Sequence, residues 1–222
     1  MNQHRITALK RQAKRRDRVS VFVDGKYAFS LQEMVAARLT IGQELTEEDV
    51  HHLQELDTIE QAYDRALRYL SYRPRSEEEM ARYLEGKGLA PEQIESVLNR
   101  LRCANLVNDQ EFARFWVENR EAFRPRGRLA LRAELQQKGI DRRAVEAAIS
   151  AVDEEAGAIK AAERYVRRLA DLDRQRFFQR LLGFLQRRGF GYEVSWRVTE
   201  RFWQQIQAEE RGSDKRALPD NT

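Results

Sequence analysis

The chain has 222 residues, of which 41% are hydrophobic and 34% charged, with a formal net charge of +4. Two compact cores in this length would each be small, so the composition favours a helix-rich chain with a large surface over one large globule. No apolar run reaches the roughly 18 residues of a membrane span, and the basic N-terminus lacks the apolar segment of a secretory signal. The single cysteine, Cys103, is expected to be half-buried in a helix and excludes an internal disulfide. We therefore expect a cytoplasmic protein without membrane contact.

Charge is segregated along the N-terminal segment, which we bound at residues 1–57. Residues 1–18 carry seven Lys/Arg and one acid, whereas residues 41–64 carry eight acids and no Lys/Arg. The first stretch is predicted to be a basic arm, and the second an acidic helix that starts at Thr46. This separation is more informative than the net charge, because it indicates surfaces of opposite sign.

A β-hairpin is predicted between these two stretches. The run VSVFVDGKYAFSL places Asp24 and Gly25 between two alternating apolar runs, which is typical of a two-residue hairpin turn. Ser30 and Glu33 predict a capping box for a short helix over residues 31–39. Because a lone hairpin is only marginally stable in water, we expect it to pack against the first helices.

The rest of the chain repeats one motif three times. At its centre is a glycine, and the three glycines, Gly88, Gly139 and Gly189, lie 51 and 50 residues apart. A cation precedes each glycine, and apolar residues four and eight positions earlier share one helix face. The cations are Lys87, Lys138 and Arg188, and the apolar residues are Met80 and Leu84, Leu131 and Leu135, and Leu181 and Leu185. A glycine in the left-handed conformation after such a helix ends it before the next helix begins.

Each unit also has an apolar-periodic helix upstream, so the motif predicts three helices in about 50 residues. The repeats are predicted at residues 58–106, 107–153 and 154–208, with upstream helices over 58–72, 108–123 and 155–171. Because one such unit buries little by itself, the units should stack in a row. The predicted fold is an all-α, elongated tandem array of three three-helix repeats, with a small N-terminal β-hairpin and helix and a disordered tail at residues 209–222.

An Arg-x-Arg pair recurs between the first and second helices of each unit. The pairs are Arg73 and Arg75, Arg124 and Arg126, and Arg174 and Arg176. Because a helix N-terminus prefers anions, this choice costs local stability and favours a functional use. The alternative is a solvated turn in an arginine-rich protein. Such arginines can neutralise phosphates or meet an acidic protein surface, and the sequence does not separate the two.

The sequence contains no pattern typical of a catalytic or metal site. Its three histidines are His4, His51 and His52, and no Cys/His spacing suits zinc. The carboxylates lie at helical spacing beside arginines, as on a solvated helix face. We therefore expect neither an enzyme nor a cofactor.

A helix–glycine–helix unit is also compatible with helix-turn-helix DNA binding, but the charges argue against it. The helix after Gly88 opens with Glu92 and Glu95, which would face the phosphates of a duplex. The aromatic residues, Phe123 among them, have mostly helical spacing and are expected in the core, not on stacking platforms.

The run VNDQEFARFWVENREAFRPRGRLALRAELQQKGI resembles the central repeat of the RecX family, regulators of the RecA recombinase. The matching residues are Asn108, Asp109, Phe112, Ala113, Trp116, Val117, Arg120, Arg126, Gly127, Leu131, Glu134, Leu135, Lys138, Gly139 and Ile140. The first repeat is similar at Ala66, Leu67, Tyr69, Leu70, Arg75, Ser76, Glu79, Met80, Leu84, Lys87 and Gly88. With a looser third repeat, the resemblance covers residues 58–206.

This resemblance implies a curved array of repeats that binds in the groove of the RecA filament on single-stranded DNA. It implies a regulator that limits filament extension or promotes disassembly, and so lowers the ATPase, strand-exchange and co-protease activities of RecA. The contacting face is expected to contain the Arg-x-Arg pairs together with Lys87, Arg128, Arg132 and Lys138. Replacing Arg126 and Arg128 with alanine is expected to weaken filament binding without changing helicity or melting.

Two other functions stay open on the residues alone. One is a helical-repeat protein that binds DNA through phosphate contacts, whose affinity would fall steeply with salt. The other is a structural adaptor for a different partner, without effect on RecA. For the regulator we expect a monomer that requires RecA and touches DNA directly only weakly.

Overall fold

A computed structural model describes residues 4–216, with side chains as far as Glu209. The strands are β1 (His4–Arg11), β2 (Arg18–Val23), β3 (Lys26–Gln32) and β4 (Glu44–Leu45). The helices are α1 (Glu33–Ala36), α2 (Glu47–Leu70), α3 (Glu77–Glu85), α4 (Pro91–Cys103), α5 (Asp109–Phe123), α6 (Arg128–Gln137), α7 (Arg142–Ser150), α8 (Glu154–Val166), α9 (Arg174–Arg187) and α10 (Tyr192–Arg216). The chain divides between Val107 and Asn108 into two compact units.

The first unit begins with a four-stranded antiparallel sheet in the order β3-β2-β1-β4. Asp24 and Gly25 turn between β2 and β3 with φ values of 51° and 82°, as a two-residue hairpin turn requires, so the predicted hairpin is confirmed. The prediction of a basic arm is corrected here, because residues 4–11 form strand β1. This strand pairs with both β2 and β4 and buries Ile6 against the core.

The short helix after the hairpin also differs from the prediction. Ser30 does not cap it, because Ser30 lies within β3 and pairs with Ser20. The strand continues to Gln32, and α1 is a four-residue helix that begins at Glu33 without a side-chain cap. The pairing with β2 therefore outweighed the local capping signal.

Helix α2 merges two segments that the sequence pattern predicted as separate. Thr46 begins it as predicted, with a capping box to Asp49. The helix then runs 24 residues to Leu70, so the predicted boundary between residues 57 and 58 falls inside it. No proline or glycine interrupts the acidic stretch and the first helix of repeat one, so nothing ends the helix earlier.

A buried ion pair fixes the sheet to α2, as expected for a hairpin that needs a helix to pack on. Arg18 on β2 pairs with Asp57 on α2 at 3.2 Å, and their side chains are 12% and 8% exposed. Asp57 also accepts from the Gln32 backbone N–H and the Gln61 side chain. Arg18, predicted to belong to a free basic arm, is therefore part of the structure.

The three-helix repeats are confirmed: the C-terminal half of α2 with α3 and α4, then α5–α7, then α8–α10. Gly88, Gly139 and Gly189 all take the left-handed conformation, with φ between 80° and 84°. The six apolar residues that define the motif are fully buried: Met80, Leu84, Leu131, Leu135, Leu181 and Leu185. Each repeat thus builds a small core of its own from this face.

In the second unit, repeats two and three meet through their main chains. Gly127 donates its N–H to the Arg188 carbonyl at 3.0 Å, and Leu129 donates to the Gly189 carbonyl at 3.2 Å. A Cβ on Gly127 would lie 2.1 Å from the Gly189 oxygen, so only glycine fits. Nothing in the sequence pattern predicted this joint.

Two smaller expectations also need correction. Cys103 is exposed, because it is the last residue of α4 and faces away from the core. The predicted tail from Glu209 is helical as far as Arg216, since Gln, Ala, Glu and Arg residues continue α10. The remainder of that tail lies outside the described residues. Among the described helices, none combines the length and apolarity needed to cross a bilayer.

Candidate functional site

In each repeat, a cation lies against an aromatic ring on the face formed by the first and second helices. In repeat one, Tyr69 and Tyr83 stack with ring centroids 4.1 Å apart. The Arg75 guanidinium lies 3.8 Å from the Tyr69 centroid, and the Lys87 ammonium lies 5.4 Å from that of Tyr83. We call this arrangement, and its equivalents in the other repeats, the cation–aromatic cluster.

The cluster of repeat two is built around Trp116 and Glu134. The Trp116 indole N–H donates to Glu134 at 2.9 Å, and the Lys138 ammonium lies 4.9 Å from the indole centroid. Arg120 covers the same ring at 4.4 Å and also donates to Glu134. Arg126 lies beside this carboxylate at 3.6 Å, too far for a hydrogen bond. Two predicted site residues, Arg126 and Lys138, therefore belong to one cluster.

The cluster of repeat three again uses a stacked aromatic pair. Tyr165 and Phe184 lie 4.2 Å apart, and the Arg188 guanidinium lies 4.7 Å from the Phe184 centroid. The ring of Phe184 comes from the same repeat position as Tyr83 and Glu134. Arg188 holds the position of Lys87 and Lys138, yet it was not among the predicted site residues.

The equivalent arginines Arg75 and Arg126 share an unusual environment. Their Nε atoms are buried and have no hydrogen-bond partner within the described part of the chain. A buried donor without a partner costs roughly 1–3 kcal/mol. Its occurrence at the same position shows that repeats one and two hold this arginine in a similar way.

Several other predicted site residues are engaged in ion pairs. Arg73 binds Glu79 through two hydrogen bonds of 3.0 Å. Arg132 binds Glu146 in the same bidentate manner and lowers the pKa of that carboxyl. The charges of these two arginines are thus already paired with carboxylates of their own repeats.

In repeat three, the Arg-x-Arg pair is split. Arg174 pairs with Glu200 at 3.2 Å and lies over the ring of Phe178. Arg176 is 75% exposed beside Asp173, whose side chain caps α9. The recurrence in the sequence therefore does not give the third pair the environment of the first two.

Arg128 has a structural role that the sequence did not predict. Its guanidinium donates to the carbonyl of Ser150, the last residue of α7, and to that of Val152, two residues later. Alanine at this position would leave these carbonyls without that donor. We therefore expect replacement of Arg128 to lower stability, whereas the sequence pattern alone predicted unchanged melting for the Arg126 and Arg128 variant.

A second basic feature, which we call the joint pocket, lies in the second unit where the turn after α5 meets α8 and α9. It is a cavity of about 520 Å³ lined by Ala122, Phe123, Arg124, Pro125, Lys160, Ala161, Glu163, Arg164, Tyr165, Arg168, Phe184 and Arg188. Five of these residues are cations and one is an acid. Burial, followed by repulsion from Arg126 and Arg124, lowers the pKa of Arg188, so the surroundings are strongly positive.

The joint pocket contains four cations that sequence reasoning left out of the site: Lys160, Arg164, Arg168 and Arg188. A signal was present, because residues 164–188 hold eight arginines and two aspartates. What the sequence could not show was that α8 brings part of this cluster beside Arg124.

The chain matches family models along most of its length. The model of the regulatory protein RecX N-terminal domain matches residues 4–46. The first, second and third three-helix domains of RecX match residues 62–101, 108–149 and 153–199. The N-terminal match extends beyond the resemblance found in the repeats, and it includes the hairpin.

Relatives and a solved structure agree with these models. The regulatory protein RecX of Bacillus subtilis (strain 168) is 34% identical, over 85% of this chain and 74% of the relative. That of Listeria monocytogenes serovar 1/2a is 30% identical, over 86% of this chain and 73% of the relative. A crystal structure of regulatory protein RecX, 30% identical, superposes with a TM-score of 0.76 and covers 89% of this chain and 99% of its own.

Proposed function

Because this chain belongs to the RecX family of regulatory proteins, we propose that it is a negative regulator of the RecA recombinase. It binds in the groove of the RecA filament on single-stranded DNA and limits filament extension. By doing so it lowers the ATPase, strand-exchange and co-protease activities of RecA. This places its action in DNA repair, homologous recombination and the SOS response, in the cytoplasm.

The observation that carries this proposal is the recurrence of the cation–aromatic cluster. Lys87, Lys138 and Arg188 occupy one position in three repeats, each against an aromatic ring. The ring restricts the side chain, so its charge is held at a defined place on the face. A filament presents the same groups at regular intervals, so equivalent cations in successive repeats match a partner made of repeating subunits.

The regulator acts by binding and performs no bond chemistry in this proposal. Several of its arginines, such as Arg73, Arg102 and Arg132, are paired within a repeat, which pre-organises part of the surface that a partner meets. Arg75 and Arg126 are half-buried beside Tyr69 and Glu134, so the accessible parts of their guanidinium groups are held in place for a filament group. Binding energy then comes from contacts that the free protein lacks.

A direct test measures binding of the fluorescently labelled protein to preformed RecA filaments on single-stranded DNA. Replacing Lys87 and Lys138 with alanine should weaken binding at least about 100-fold, since charge-assisted hydrogen bonds contribute roughly 1.5–3 kcal/mol each. Replacing Arg180 and Arg201, two exposed arginines outside the clusters, removes the same charge as a control. Equal losses in both variants would show that only net charge matters, and would refute the proposed face.

The alternative function is a DNA-binding repeat protein, which the five cations of the joint pocket favour. Salt and partner distinguish the two. Plain DNA binding with about 6–10 phosphate contacts should weaken roughly 10³–10⁵-fold between about 50 and 200 mM salt. Filament regulation should persist at the higher salt and require RecA.

A further inference from the structure

The joint pocket gathers five cations around a single acid. Several arginines elsewhere meet carboxylates, as Arg73, Arg100 and Arg132 do. In the pocket, by contrast, Arg124, Arg164, Arg168 and Arg188 form no ion pair with any described residue. Lys160 donates to the Glu121 carbonyl and Arg188 to the Pro125 carbonyl, so neither charge is neutralised.

An exposed aromatic ring stands at the edge of this positive cavity. Phe123 ends α5 with 82% of its surface exposed, although most aromatics of the chain are at least partly buried. Exposing a phenylalanine to this degree forfeits roughly 1.5–3 kcal/mol of burial. The cost is explained if a flat apolar surface covers the ring in a complex.

We propose that the joint pocket binds a phosphate of single-stranded DNA, with a neighbouring base stacked on Phe123. The arginines of α8 and of the turn after α5 supply the positive lining, and the phenylalanine supplies the platform. Cationic grooves beside exposed aromatic rings are the general means by which proteins hold single strands without reading sequence. The inference deepens the proposed function, but it requires direct contact with DNA in the absence of RecA.

The observations favour a nucleic-acid strand over an acidic peptide. Guanidinium groups attract carboxylates and phosphates alike, so charge alone does not decide. The exposed ring distinguishes the two ligands. Each nucleotide carries a flat base next to its phosphate, whereas acidic side chains carry no group that can stack on the ring. A cavity of about 520 Å³ also lies within the size range of small-ligand sites, so it can admit one nucleotide unit.

The joint between the repeats keeps this site in place. The main-chain bonds of Gly127 and Leu129 to the turn at Arg188 and Gly189 hold the pocket's walls together. Stacking of Tyr165 on Phe184 fixes the floor beneath Arg188. A pre-organised site of this kind loses little entropy when the strand binds.

The experiment is fluorescence anisotropy of a labelled oligothymidylate of about 10 nucleotides, at about 50 mM salt and without RecA. Replacing Arg164 and Arg168 with alanine should weaken binding about ten-fold more than replacing Arg180 and Arg201. All four arginines are exposed in repeat three, but the control pair lies outside the pocket. Phe123→Ala should weaken binding about five-fold or more, while Phe123→Trp should preserve it.

Three outcomes would overturn the inference. An equal loss of affinity in the pocket variant and the control variant would show that DNA is attracted by general surface charge and not by the pocket. Phe123→Ala would leave binding unchanged if no base stacked there. A polyglutamate peptide that displaces the oligonucleotide at equal concentration would assign the pocket to an acidic protein. Because RecA is absent, failure here leaves the effect on RecA filaments to be judged separately, and circular dichroism confirms that each variant is folded.

Discussion

At the joint of repeats two and three, the two main chains approach so closely that a single methyl group cannot fit between them. Gly127 and Gly189 occupy this contact, and a Cβ on Gly189 would lie 2.4 Å from Ala130. Gly189 also has a positive φ, so two physical reasons require glycine there. At Gly127, glycine is required only because a Cβ would have no room beside the Gly189 main chain.

Gly127→Ala is therefore expected to lower the free energy of unfolding of the second unit by about 1–3 kcal/mol, the cost of overpacking. All three tryptophans, Trp116, Trp196 and Trp203, lie in this unit, so urea unfolding followed by tryptophan fluorescence measures it. Gly157→Ala is the control, because its Cβ would lie 3.5 Å from the Phe190 ring, an ordinary contact. A loss no larger than the control's would contradict the observed joint.

Arg132 and Glu146 give a prediction about pH. The arginine lowers the pKa of this carboxyl below its usual 4.5. A lowered folded-state pKa means that the pair stabilises the protein above the ordinary pKa, and that this stabilisation is lost as pH falls through the folded value. Arg132→Ala should move the Glu146 pKa upward in an NMR titration. Unfolding should become easier at neutral pH but hardly change in acid, and an unmoved pKa would show that the pair does not form in solution.

Between elements, a buried ion pair joins β2 to α2. Arg18→Ala would leave the Asp57 carboxylate buried with only its bonds from Gln32 and Gln61. Removing one partner of a buried pair costs roughly 3–5 kcal/mol. We expect about 3 kcal/mol, because the remaining hydrogen bonds compensate part of the loss.

Urea unfolding of the Arg18→Ala variant, followed by circular dichroism, measures this loss. Arg5→Ala is a matched control, since Arg5 pairs with Glu44 at an exposed position of the same sheet. Exposed pairs contribute about 0–1 kcal/mol. Similar effects for the two variants would mean that the Arg18 pair is not buried in solution.

The same elements show which parts of the fold could be predicted from the sequence. The helix–glycine–helix motif and the Asp24–Gly25 turn were predictable, because backbone conformation there depends on the local residue. The pairing of β1 was not, since it depends on partners far along the chain. The Ser30 cap failed for the same reason: a tertiary contact outweighed a local preference.

For the candidate site, the position of a residue within the repeat was a better predictor of site residues than its charge was. Position relative to the glycine placed Lys87 and Lys138 in corresponding clusters, although Arg188 at the same position was overlooked. Counting arginines also selected Arg132 and Arg174, which the structure pairs with carboxylates. Whether an arginine is paired depends on how helices pack, which spacing within one helix cannot reveal.

Over the whole molecule, the chain combines a sheet-capped repeat in its first unit with two joined repeats in its second. In our proposals, its equivalent cations contact a partner made of repeating subunits, and its joint pocket contacts the DNA strand within that partner. In the proposed function, regulation follows from occupying the filament and requires no chemical step. We therefore expect RecA activity to fall when this protein is present.

That expectation is tested most directly by measuring ATP hydrolysis by RecA on single-stranded DNA while the protein is titrated in. The salt is set at about 150 mM, so that exposed charges are screened beyond about 8 Å, and DNA is held in excess so that competition for DNA has no effect. We predict that hydrolysis falls at amounts of protein well below those of RecA. Hydrolysis that stays unchanged up to equimolar protein would contradict the proposed regulation.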